Sequence, residues 1–129
     1  MSEENIRVIG RFRPTNERER SRDKGAPPRF GENGRTVWVG PDEASGHQYA
    51  LDAVLPCEAS QADVYAHATG IVDAVVQGYN GTLLAYGQTG SGKTHSVMGE
   101  LGGDEAELGL LPRAVRQIFE AIVADSSGA

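Results

Sequence analysis

At 129 residues the chain is the size of one ordinary domain with a small core, and 39% apolar with 23% charged residues suits an α/β or mixed domain better than a disordered one. The net charge of −6 is uneven: residues 1–35 hold nine Lys/Arg against six Asp/Glu, and residues 36–129 hold three against twelve. That acidic majority would repel a polyanion, which excludes a broad nucleic-acid-binding face. The single cysteine, Cys57, has no partner for an internal disulfide and reads as a structural thiol in an intracellular protein. No apolar run approaches the ~20 residues of a membrane span, and the N-terminus lacks the basic and apolar regions of a signal peptide, so a cytoplasmic location is expected.

In chain order, Asn5 to Arg13 reads as a strand, with Ile6, Val8 and Phe12 on one face and Ile9 beside the arginines on the other. Pro14 stops it, having no N–H for a ladder. Residues 15–48 read as an irregular excursion with some β structure. Its first part, 15–35, is polar, with Pro27-Pro28 and several glycines. Arg18, Arg20, Arg22 and Lys24 interleave with Glu17, Glu19 and Asp23, as in a solvated loop or frayed helix. Thr36 to Val39 is a short strand, PDEASG is turn material, and His47 to Leu55 is a further strand with imperfect alternation.

A helix follows. Ser60 caps it and Asp63 stands at the capping-box position, a shorter substitute for Glu. Val64, Ala68, Ile71, Val72, Val75 and Tyr79 give one apolar face, and Gly78 with Asn80-Gly81 ends it. Thr82 to Tyr86, TLLAY, is apolar throughout and reads as a short strand buried on both faces. After it come GQTGSGKT and a helical piece, Lys93 to Met98, broken by Gly99 and Gly102-Gly103. The acidic ELGGDEAELG is a loop. Pro112 suits the first turn of a last helix whose apolar stripe is Leu111, Val115, Ile118, Phe119 and Ile122.

The chemistry lies in the pattern G-x-x-x-x-G-K-[ST], present as Gly87, Gly92, Lys93 and Thr94. A phosphate is wrapped by backbone N–H groups, and a Cβ at Gly87, Gly90 or Gly92 would hinder that approach. The loop opens a helix, whose free N–H groups and dipole favour an anion. Lys93 reaches the β- and γ-phosphates and Thr94 offers its hydroxyl to Mg²⁺. An apolar strand before and a helix after supply the context that the bare pattern lacks.

AYGQTGSGKTHSVMG, Ala85 to Gly99, resembles the kinesin motor domain. So do NIRVIGRFRP, YALDAVL with CEASQADVYAHA, GYNGTLLAYGQTGSGKT and GLLPRAVRQIF, which together are far more specific than the phosphate-loop pattern alone. The resemblance implies an α/β fold of P-loop NTPase type, a central mainly parallel sheet flanked by helices, incomplete in this chain: residues 1–129 match the N-terminal portion of a motor head. It implies ATP and Mg²⁺ as ligands. Arg11, Arg13 and Pro14 would line the adenine, His95 would pack on its other side, and Gln88, Thr89, Gly90, Ser91, Gly92, Lys93 and Thr94 would wrap the phosphates. Without the resemblance, Arg11 and Arg13 are strand-surface charges and Pro14 is a strand terminator. A proline ring and an imidazole do offer flat faces to a base, and an arginine can stack on it.

The same resemblance implies a cytoskeleton-associated motor that couples ATP hydrolysis to movement along microtubules. Hydrolysis needs a second Mg²⁺ support and a group that positions water. In kinesins these come from switch I, Asn-x-x-Ser-Ser-Arg, and switch II, Asp-Leu-Ala-Gly-x-Glu; neither occurs in this sequence, and no catalytic residue is assigned. The microtubule-binding elements also lie downstream in the family. The alternative reading is a truncated, non-motile nucleotide-binding fragment without ATPase activity. A small P-loop kinase would need an Arg-rich lid, and only Arg113 and Arg116 follow the loop. With the family's later strands absent, Leu83, Leu84 and Ala85, with Ile9 and Phe12, are expected to lack partners.

Overall fold

The structure is a computed structural model that describes residues 6–22, 27–41 and 45–127. It forms two units, Met1–Glu58 and Ala59–Ala129.

In the first unit β1 (Ile9–Arg11) runs parallel to β5 (Ala53–Leu55), with Ile9 opposite Ala53 and Arg11 opposite Leu55. A second sheet is antiparallel, in the order β2 (Arg29–Phe30), β3 (Thr36–Val39), β4 (His47–Ala50). Asn33 turns the chain into β3: its Oδ1 accepts from the N–H of Arg35 at 2.9 Å and of Thr36 at 3.1 Å. Thr36, Val37, Ala53 and Val54 are buried and form the small core.

The strand expected over Asn5 to Arg13 is shorter. Asn5 lies outside the described residues, and Ile6 and Val8 are exposed. The ladder to β5 starts at Ile9 and closes with the Phe12 N–H on the Leu55 carbonyl, 3.0 Å. Ile9 and Phe12, expected to lack partners, are half-buried, and Phe12 meets Phe30 edge to face with centroids 5.2 Å apart.

The single strand expected over His47 to Leu55 is two strands in different sheets. The Leu51 N–H still donates to Arg35 O (2.8 Å), alongside β3. The Asp52 N–H donates to Val8 O (3.0 Å), and its carboxylate accepts from the Val8 N–H at 2.7 Å. The chain changes sheets between these two residues, so each half alternates for a different partner. Of the turn PDEASG, residues 42–44 lie outside the described residues, as do Asp23 and Lys24.

The excursion after β1 contains a helix, α1 (Glu17–Arg22). Asn16 and Glu19 cap it reciprocally: Asn16 Oδ1 accepts from the Glu19 N–H at 2.9 Å, and Glu19 Oε2 accepts from the Asn16 N–H at 3.0 Å. The frayed-helix reading of this segment is therefore the better one.

The second unit is helical: α2 (Gln61–Ala66), α3 (Thr69–Val76), α4 (Lys93–Val97), a 3₁₀ turn (Glu105–Glu107) and α5 (Leu110–Ser127). The capping box at Ser60 and Asp63 is present, with Ser60 Oγ accepting from the Asp63 N–H at 3.1 Å and Asp63 Oδ2 from the Ser60 N–H at 2.9 Å. Those bonds hold the Asp63 carboxyl below its ordinary pKa. The one long helix expected here is broken. At His67 and Ala68 the N–H groups bond three residues back, to Val64 O (3.1 Å) and Tyr65 O (2.8 Å), and the Thr69 hydroxyl donates to Ala66 O (3.3 Å). Of its apolar face, Ala68 and Val72 are buried, whereas Val75 and Tyr79 are exposed.

TLLAY is not a strand. Residues 82–86 take part in no sheet among the described residues, and Leu84 and Tyr86 are 86% and 96% exposed. The apolar run that should be buried on both faces lies open on both, matching the expected want of partners at Leu83, Leu84 and Ala85. The stripe on α5 is likewise bare: Leu111, Val115, Phe119 and Ile122 are exposed, and only Ile118 is half-buried. The covered side of α5 mixes Ala114, Ile118 and Ala121 with Arg113 and Gln117, all half-buried. Gln117 Nε2 donates to Asp73 Oδ1 at 2.7 Å and to Thr69 O at 3.4 Å, while Tyr65 Oη donates to Gln117 Oε1, with Arg113 O also in range at 3.3 Å. Burial pushes the Tyr65 phenol above its ordinary pKa.

Candidate functional site

The phosphate loop belongs to the second unit, between the open segment 82–86 and α4. Gly87, Ser91, Gly92 and Lys93 are half-buried; Gln88, Thr89, Gly90, Thr94 and His95 are exposed. The Ser91 N–H donates to Gln88 O at 3.1 Å, which bends the loop back on itself. A Cβ at Gly87 would stand 2.4 Å from Ser91 Oγ, so a side chain there would require the serine to move. Gly92 is the N-cap of α4 at φ 107°, the left-handed region that side chains rarely adopt. The first N–H groups of α4 have no intrahelical acceptor. The Lys93 ammonium folds back onto the Gly87 carbonyl.

This arrangement fits a phosphate. It offers helix N–H donors, one ammonium and a backbone path kept clear by glycine. Thr94 is exposed on the first turn of α4, where its hydroxyl is available to a cation. His95 follows it, also exposed, and its backbone carbonyl accepts a bond from Gln61 Nε2 at 2.8 Å. Lys93, Thr94 and His95 are thus brought to one short helix, as the sequence implied.

Arg11, Arg13 and Pro14 belong to the first unit. Arg11 is the last residue of β1, and Pro14 is exposed beyond it. The Arg13 guanidinium forks onto both Glu19 carboxylate oxygens, with Nη1 to Oε2 at 2.9 Å. Bonding from that fork pulls the Glu19 pKa down to about 2. Cys57 is exposed, its thiol 3.5 Å from Arg13 O.

Two features escape the sequence. Gln61 is 4% exposed and ties α2 to α4, yet a glutamine in a first helical turn ordinarily points to water, so its type and position give no signal. Arg113 anchors the acidic loop: its Nε donates to Leu108 O at 2.8 Å, and its Nη2 to Glu105 O and Ala106 O at 3.3 Å. An open groove of about 390 Å³ on α5, lined by Arg116, Phe119, Glu120, Val123 and Ala124, includes no loop residue. No helix among the described residues is long and apolar enough to cross a membrane.

The fold is that of a P-loop NTPase, present in part. A solved structure of a fast kinesin, an ATPase that interacts with microtubules, superposes with a TM-score of 0.82 at 36% identity, covering 92% of this chain and 33% of that one. The kinesin motor domain family model matches residues 11–128. Kinesin heavy chain isoform 5C of Homo sapiens is 45% identical over 118 residues, and the kinesin heavy chain of Syncephalastrum racemosum 43% identical over 129. The chain belongs to the kinesin motor domain family. It spans 12% and 14% of the length of those two relatives.

Proposed function

We propose that this chain is the nucleotide-binding portion of a microtubule motor, holding the phosphates of ATP with Mg²⁺ in the Gly87–Thr94 loop. The observation that carries this is the glycine-lined bend running into α4, with Lys93 turned inward across it. Lys93 would exchange the Gly87 carbonyl for phosphate oxygens, and the first-turn N–H groups of α4 would meet the same oxygens. Gln88, Thr89, Gly90, Ser91 and Gly92 would form the wrap. Thr94 would hold Mg²⁺, which neutralises charge on the phosphates. The family assignment supports Arg11, Arg13, Pro14 and His95 as adenine contacts.

The parent architecture couples ATP hydrolysis to movement along microtubules, which makes a cytoskeletal location the natural one. With neither switch motif in the sequence, residues 1–129 supply ground-state binding and lack the groups that stabilise the transition state. The reading is therefore a nucleotide cradle without turnover of its own. A P-loop kinase is disfavoured because residues 95–129 hold only two arginines, Arg113 and Arg116, too few for an Arg-rich lid. The test is a titration of the purified chain with Mg-ATP, then hydrolysis assays with and without polymerised tubulin. Saturable binding without tubulin-stimulated hydrolysis is expected; absence of binding overturns the cradle, and stimulated hydrolysis overturns the missing engine.

A further inference from the structure

We propose that Gln61 is the positioning residue of the phosphate loop's helix, clamping the end of α4 and the neck of the acidic loop into one piece. At the end of α4 the N–H groups of Met98 and Gly99 both donate to Thr94 O, at 2.8 and 3.3 Å. The next carbonyl, His95 O, thus receives no bond from Gly99, its usual helical donor. Gln61 Nε2 takes that place at 2.8 Å, and the same nitrogen reaches Glu107 O at 3.2 Å. A carboxamide nitrogen carries two hydrogens, so one side chain can serve both carbonyls.

Glu107 O also accepts from the Glu100 N–H at 3.0 Å, Gly99 bridges Leu108, and the Gly109 N–H returns to Met98 O at 3.1 Å. Residues 99–109 are therefore a loop whose neck is sewn to the last turn of α4, with the Gln61 amide at the seam. Gln61 is 4% exposed, so water cannot replace it there at no cost. It is the first residue of α2, directly after the Ser60 cap, and the capping box fixes the backbone from which it reaches. α4 is only five residues long and cannot hold its own position by helix propensity. Lys93 and Thr94 lie two and one residues before the clamped His95 carbonyl, so freeing that carbonyl loosens the end that meets phosphate.

The part of this inference that concerns ligand affinity rests on the function proposed above; the clamp itself does not. The experiment compares wild type, Gln61→Met and Val72→Ala at micromolar concentration. Met keeps the length and bulk of Gln and removes both donors. Val72, buried in α3 at 4% exposure, serves as a core loss with no bond to α4. Without nucleotide, amide exchange by mass spectrometry in peptides covering 94–109 should quicken about tenfold in Gln61→Met, with peptides of α3 unchanged. Mg-ADP affinity should fall about tenfold in Gln61→Met and stay at the wild-type value in Val72→Ala. Unchanged exchange over 94–109, or equal affinity losses in the two variants, overturns the proposal. If wild type binds no nucleotide while Gln61→Met still frees the 94–109 peptides, the clamp stands and the nucleotide reading fails.

Discussion

The ammonium of Lys93 donates to the carbonyl oxygen of Gly87, so the lysine of the phosphate loop is bonded to the loop's own first residue. A phosphate oxygen is a stronger acceptor than a neutral carbonyl, because a bond between two charged groups is roughly twice as strong as a neutral one.

The Arg13–Glu19 fork gives α1 a pH dependence. Glu19 titrates at about 2 in the folded chain, against the ordinary carboxylate value when unfolded, about 4.3. Its contribution is complete above the ordinary value and is lost as pH falls toward about 2. A carbon-detected NMR titration should show the Glu19 carboxyl titrating far below the ordinary glutamate value, and Arg13→Gln should return it toward that value. A wild-type Glu19 midpoint at the ordinary glutamate value would contradict the fork.

The open apolar segments predict association. Leu84 and Tyr86 are almost wholly exposed, and α5 presents Leu111, Val115, Phe119 and Ile122 to solvent. Bare apolar residues without strand partners invite self-pairing. Sedimentation velocity should show weight growing with concentration, and Leu84→Lys with Phe119→Glu should shift the chain toward monomer. A wild-type monomer across the micromolar range would mean that the surface is better protected than its exposure indicates.

His95 separates the base from the phosphates. If it packs against adenine, His95→Ala should weaken ADP several-fold and leave inorganic pyrophosphate nearly unaffected. Competition against a fluorescent nucleotide reads both ligands. An equal loss for the two would assign His95 to the phosphate end instead.

Local chemistry was legible in the sequence and distant cover was not. Thr36–Val39, the Ser60–Asp63 capping box and the loop running into α4 follow from residues close in the chain, and each stands as read. The Asn16–Glu19 box uses the same spacing but sits among charges that read equally well as a solvated loop. The switch of sheets at Leu51–Asp52 depends on Val8 and Arg35, which are distant in sequence. Periodicity identified which α5 residues share a face, but not which face is covered, and the covered face is the one with Gln117. TLLAY has the composition of a buried strand; a strand also needs neighbours, which composition does not supply. In the site, the loop was legible because its glycine pattern is local, whereas the Gln61 contact with His95 O depends on the fold.

The central claim is that the Gly87–Thr94 loop binds nucleotide phosphates through Lys93. Calorimetric titration of Mg-ATP into wild type and Lys93→Ala, with melting curves to confirm that both are folded, tests it most directly. The account predicts saturable binding by wild type and no measurable binding by Lys93→Ala. Equal affinity in the two proteins would contradict it.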